Sequence, residues 1–393
     1  PSSLSTTWDT RAASAPAFFA AARDRLRARA QAAGLDGLLL LRAPNLAYAT
    51  GLFLSANERP MGVWLPVSGD PILMLPGLER ENAEGTGLTD LRFYDEFPGE
   101  VSAVLWMLDQ IGRKSAAIDQ LDASLLDAAR DKLARLDLTD HAMIERSFKQ
   151  PEEIALTREA AHFADLFLHR LHKAAGDIIS QGGTEADLMA DAMAHAKGAL
   201  FARHKTAFSG TPMGITASVH SGPRAALPHG AVLERVPRPG ETLIAGIGGS
   251  LGGYHAESGV TLIVGEISAE QRRIMQAMQA CNDAAVAACA GGRTCTEAND
   301  AALDALREAG LGDAIRHRIG HGMGLEGHEA PWLAPGDSTP IQPRMIFSNE
   351  PGVYRPGRDG YRTIKTMIVT ASGVDIPSRF QTETPIDARV IAL

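Results

Sequence analysis

The stretch Gly320-His321-Gly322-Met323-Gly324-Leu325-Glu326-Gly327-His328-Glu329-Ala330-Pro331 constrains this chain more than any other. Three of its first five residues are glycine, so the backbone there can turn tightly or approach a ligand closely. Two histidines stand seven positions apart in that frame, with acidic residues and a proline after them. Downstream, Ile346-Phe347-Ser348-Asn349-Glu350-Pro351-Gly352 is an apolar run ending in a carboxylate locked by Pro-Gly. Histidine and carboxylate on stiff backbone are the raw material of a metal or acid–base site.

The 393 residues suit two domains better than one. Hydrophobic residues make up 45% and charged residues 22%, as in an ordinary globular protein. A net charge of -9 argues against nonspecific binding to nucleic acid or an anionic membrane. Cys281, Cys289 and Cys295 form an odd, sparse set with spacings that match no zinc pattern, so buried, inert thiols in a reducing compartment are expected. Ala15 to Ala22 is too short for a signal-peptide core and runs straight into arginines, and no run is long enough to span a bilayer. The expected location is cytoplasmic.

Up to about residue 148, helix and strand patterns alternate: a helix over 17–33, strands over 38–41, 62–65, 71–75 and 115–118, and a helix over 104–111. That predicts an α/β domain over 1–148 with a largely buried sheet. Lys149-Gln150-Pro151-Glu152-Glu153 then reads as a helix start, with proline and acids in the first turn. Helices over 151–175, 185–202, 268–290 and 296–309 and strands over 242–247, 259–264, 345–348 and 366–370 predict an α+β domain over 149–393, helices on one face of an antiparallel sheet.

The two motifs quoted above, with Leu227-Pro228-His229, resemble the strongest signatures of the creatinase/prolidase/methionine-aminopeptidase superfamily, whose second domain has the "pita-bread" fold. The branch of Xaa-Pro dipeptidase (prolidase) and aminopeptidase P fits best, and the first half is similar to the creatinase N-terminal domain. The resemblance implies a site for two divalent metals held by two Asp, one His and two Glu. His321 and Glu350 match two of those positions. Glu257 stands for the second Asp, Gly246 for the first, and Ile364 for the last Glu. Two carboxylates and one histidine then remain, which balance one divalent cation. The expected metal ligands are Glu257, His321 and Glu350, around one Mn or Zn ion or none. Lys365, beside Ile364, could replace the missing cation only through a bulge, because successive strand residues face opposite ways; a solvated outward lysine is the other reading.

The family's histidines corresponding to His229 and His328 contact the scissile amide and the developing oxyanion, so these two and Glu350 are the expected catalytic residues. Arg362, whose planar fork suits a carboxylate, and Tyr254 are the candidates for substrate binding. His255 and Tyr361 are expected to pack, Arg42 and Asn45 to belong to a turn, and His220 and Arg224 to lie in a loop near the substrate. Three readings follow. The first is a prolidase-type hydrolase cleaving Xaa-Pro dipeptides through a metal-activated water. The second is a metal-independent C–N hydrolase like creatinase, although such sequences carry Glu where this chain has Gly259. The third is a binding protein of the same fold that has lost catalysis. The expected partner in the first two is a small peptide or C–N substrate. The resemblance also implies a homodimer.

Overall fold

A computed structural model describes residue 13 and residues 15–393, which fall into two compact units dividing after Arg146. The first holds helices α1 (Pro16–Ala32), α2 (Ala43–Thr50), α3 (Arg80–Glu84), α4 (Ala103–Ile111), α5 (Leu126–Lys132) and α6 (His141–Arg146). Its strands are β1 (Gly37–Leu40), β2 (Gly62–Pro66), β3 (Ile72–Pro76), β4 (Asp90–Tyr94), β5 (Ser115–Ile118) and β6 (Arg135–Asp137), in the order β4-β3-β2-β1-β5-β6. The sheet is mixed, as the α/β pattern implies. Leu39, Met74, Met107 and Ile118 fill one of its cores. The sequence does not announce β4 or β6, because both carry charged residues on short strands. Asn45 is not in a loose turn. It is fully buried in α2, donates to Asp119 and Asp140 at 2.7 and 3.0 Å, and accepts from Arg146 at 2.6 Å.

The second unit opens with α7 (Pro151–Ser180), which has proline in its first turn and a 2.7 Å bond from the Gln150 amide to Glu153. There follow α8 (Glu185–His204), β7 (Gly214–Ser221), β8 (Thr242–Leu251), β9 (Tyr254–Val264), α9 (Ala269–Ala290), α10 (Cys295–Glu308), β10 (Gly320–Gly322), β11 (Glu329–Leu333), β12 (Ile346–Asn349), β13 (Gly352–Arg355), β14 (Asp359–Arg362), β15 (Ile364–Thr370), β16 (Gly373–Asp375), α11 (Phe380–Glu383) and β17 (Val390–Ile391). The main sheet runs β11-β10-β12-β15-β9-β8-β7, antiparallel throughout, with β16 on β15 and β17 beside β9; β13 and β14 form a separate hairpin. This is the α+β, pita-bread arrangement that the sequence predicts.

Strand alternation gives the sheet two unlike faces. On one, Ser258 reaches Asp165 of α7 at 2.6 Å, and Phe347 and Met367 join Ile274, Met278 and Leu303 of α9 and α10 in the core. A side chain at Gly249 would lie 2.3 Å from the Ala160 carbonyl oxygen, so α7 sits directly on β8. The three cysteines lie on the buried sides of α9 and α10, and burial pushes each thiol up to about 12, which keeps them protonated and inert. The other face carries Gly246, Glu257, Gly259, Ser348 and Ile364. Among the described residues, no helix is long and apolar enough to cross a membrane.

Candidate active site

Pairing of β10 with β12 sets His321 opposite Ser348, and Ser348 donates to Glu257 Oε2 at 2.6 Å. The glycines flanking His321 serve neighbouring strands, not turns. A Cβ on Gly320 would meet the Ser348 oxygen at 1.9 Å, and one on Gly322 the Ala330 oxygen at 2.7 Å. His321 is fully buried. Its Nδ1 donates to the Gly322 carbonyl at 3.0 Å, a tautomer assigned from this contact, which turns Nε2 toward two carboxylates. Nε2 lies 3.3 Å from Glu350 Oε1 and 3.9 Å from Glu257 Oε2 but makes no well-aligned hydrogen bond. The His328 ring stacks on His321 with centroids 3.7 Å apart and planes at 21°.

The electrostatics separate the four groups. Burial raises the Glu257 carboxyl above its usual range, against the pull of His321. For His321 burial works downward, but the Glu350 bond and both carboxylate charges outweigh it and hold the imidazole above its ordinary value. For Glu350 burial works upward, and the bond and charge of His321 outweigh it and keep the carboxyl low. Burial and the His321 charge both depress His328. At neutral pH, Glu350 is therefore ionised and His328 neutral.

On the Gly246 side the same face is filled. Ile364 pairs with Gly259, and its Cδ1 would lie 2.7 Å from a Cβ placed there and 3.1 Å from one on Gly246. Arg362 Nη2 would lie 2.8 Å from the Gly246 Cβ, and Nη1 donates to the Pro228 carbonyl at 2.7 Å. His229 follows Pro228 and is exposed.

The structure thus brings Glu257, His321, His328 and Glu350 together. It corrects other expectations. Tyr254 faces α7, not substrate: it is buried and its hydroxyl donates to Glu153 at 2.8 Å, because residues 254 and 257 of one strand face opposite ways. Lys365 is neither a surrogate cation in the site nor a solvated lysine. It is 5% exposed on the opposite face from Ile364, and burial lowers its pKa while Asp283 of α9 resists. His220 is no loop residue but lies in β7, fully buried, with Gly230 packed on its ring. Arg224 is committed to Glu185 at 2.6 Å. Tyr361 is buried in the helix-side core and His255 bonds through its amide to Gly324, as packing residues. Ser348, which orients Glu257, is the residue the sequence reasoning passed over, although it stands inside the Ser-Asn-Glu motif.

Donor atoms of Glu257, His321 and His328 lie within 4.8 Å of one another. A buried nitrogen with no well-aligned hydrogen bond, its partner nitrogen fixed by a carbonyl and carboxylates before it, fits one divalent ion. On the Gly246 side, Gly246 and Ile364 offer no ligand atoms, and the Arg362 guanidinium, the Ile364 methyl and the Ser218 hydroxyl lie around that position.

Residues 155–371 match the metallopeptidase family M24, and residues 23–147 match the creatinase/prolidase N-terminal domain. Over 352 residues the chain is 34% identical to a Mycobacterium bovis protein named probable dipeptidase PepE, covering 87% of this chain and 89% of that one. It is 26% identical to a Xaa-Pro dipeptidase of Lactobacillus delbrueckii subsp. lactis, covering 89% and 94%. The crystal structure of dipeptidase PepE from Mycobacterium ulcerans superposes with a TM-score of 0.81 at 27% identity, over 96% of this chain and 99% of that one.

Proposed function

This chain belongs to metallopeptidase family M24, and from that premise we propose that it is a prolidase-type dipeptidase that cleaves Xaa-Pro dipeptides at a single-ion site. Glu257, His321 and Glu350 would hold the ion, with His328 stacked on the His321 ring. A bound Mn or Zn ion supplies Lewis acidity and an acidified water.

Hydrolysis adds water across the C–N bond and yields an acid and an amine. Glu350, kept ionised by its place beside His321, accepts the proton of the attacking water and returns it to the leaving nitrogen. His328, neutral at its stacked position, donates an N–H to the oxyanion as it forms. His229, exposed at the end of the loop that Arg362 anchors, assists from the amide side. The observation that carries this reading is the convergence of one buried, oriented imidazole and two carboxylates on a sheet face. A scaffold alone has no physical need for such buried polar groups. Release of proline from Ala-Pro and Leu-Pro in the presence of Mn or Zn tests it. Turnover no greater than that of a Glu350→Ala variant defeats it.

A further inference from the structure

Arg362 ends β14, yet its side chain lies against the inner face of β8. It is 7% exposed, and its Nε makes no hydrogen bond. Nη2 lies over the bare backbone of Gly246, and Nη1 holds the Pro228 carbonyl at 2.7 Å. Among the described residues, no carboxylate hydrogen-bonds the guanidinium. Its charge nevertheless reaches Glu257 and Glu350, opposing ionisation costs in both, and pushes His220 down. A guanidinium keeps its charge at any working pH and is less strongly hydrated than an ammonium, so it tolerates this burial.

We propose that Arg362 is a resident cation of the donor site, standing on the Gly246 side, where Gly246 and Ile364 offer no ligand atoms, and setting the affinity of the Glu257–His321 donors for the ion. This rests on the ion-binding reading of those donors. Two carboxylates carry two negative charges; Arg362 answers one, so a divalent ion meets a donor set already half neutralised. The small residues are part of the device. Glycine at 246 and 259 makes the space into which Arg362 and Ile364 fit, and a carboxylate at 246 would instead take the guanidinium as a partner.

Calorimetric titration of Mn²⁺ into the metal-stripped protein tests the proposal, with wild type, Arg362→Lys and Arg362→Gln compared. Loss of the charge is expected to tighten Mn²⁺ binding by about tenfold or more, and Arg362→Lys to stay within about threefold of wild type. Arg362→Met, which keeps the stem without the charge, replaces the glutamine variant if that chain does not fold. Equal or weaker binding in the uncharged variant overturns the proposal and points to a purely structural anchor for Pro228. If none of the chains takes up Mn²⁺, the proposal falls together with the ion reading. The dipeptide assay is independent. Absence of cleavage with the expected affinity series removes the peptidase reading and leaves the role of Arg362 standing.

Discussion

Two halves of one sheet face are built on opposite principles. The His321 half is polar and convergent: an oriented imidazole, two carboxylates and a stacked histidine occupy space that water or an ion could share. The Gly246 half is closed by shape, with Ile364 lying on two glycines and a guanidinium wedged beside them. The contrast teaches that a stretch of this face without carboxylates need not be an empty one: Ile364 and the Arg362 guanidinium fill the space beside Gly246, and one of them brings a positive charge.

The comparison breaks first if the polar half is not the working half. His321→Ala is expected to abolish tight ion binding and to lower kcat/KM by about a thousandfold, roughly 4 kcal/mol. Ser348→Ala removes only the 2.6 Å bond that orients Glu257, and a loss of about 10- to 100-fold in ion affinity is expected. Elemental analysis beside steady-state kinetics reads both. Equal losses in the two variants contradict the ranking.

His220, on β7 at the far edge of the Gly246 half, reports on that half through acid stability. Burial, then the charges of Arg362 and Arg224, push it down to about 4 from 6.5. Unfolded, it takes up a proton below about 6.5; folded, it resists until about 4, so the unfolded state binds more protons between these values. The contribution of the neutral imidazole is present above pH 6.5 and is lost as the pH falls toward 4. A His220→Phe chain lacks this penalty. Relative to wild type it is expected to gain ~2 kcal/mol on going from pH 7 to pH 5, measured by denaturant unfolding at both pH values. A pH-independent difference shows that the ring is solvated or paired.

Much of the polar half is legible in the sequence, because His321, His328 and Glu350 stand in short motifs whose glycines and prolines bind them to defined strands. The resemblance also exposes Gly246 and Ile364 as departures. What the sequence cannot show is which neighbour fills a vacated volume. Lys365 is adjacent to the position where the resemblance implies a carboxylate and looks like the natural replacement, but pleating sends it under α9. Arg362 reaches the space instead, from a hairpin whose placement depends on contacts far away in the chain, such as the bond to Pro228. Tyr254 fails as a substrate contact for the same reason as Lys365: one residue of register decides which face a side chain serves.

The finest test addresses the closed half. Gly259→Ala would set a methyl group 2.7 Å from Ile364 Cδ1 and Cγ1 and 2.9 Å from the Ala245 oxygen. Overpacking of this kind is expected to cost ~1–3 kcal/mol of unfolding free energy. Ile364→Val removes Cδ1 and on its own leaves a small void, worth ~0.5–1.5 kcal/mol. Together the two changes relieve the Cδ1 part of the clash while filling the void, so the double variant is expected to be more stable than the sum of the singles by ~1 kcal/mol. The contacts with the γ carbon of residue 364 and with the Ala245 backbone persist in the double variant, so recovery is partial. Urea unfolding of the four chains gives the coupling energy directly. Strict additivity means that Ile364 does not press on Gly259, and that the Gly246 side has room to spare.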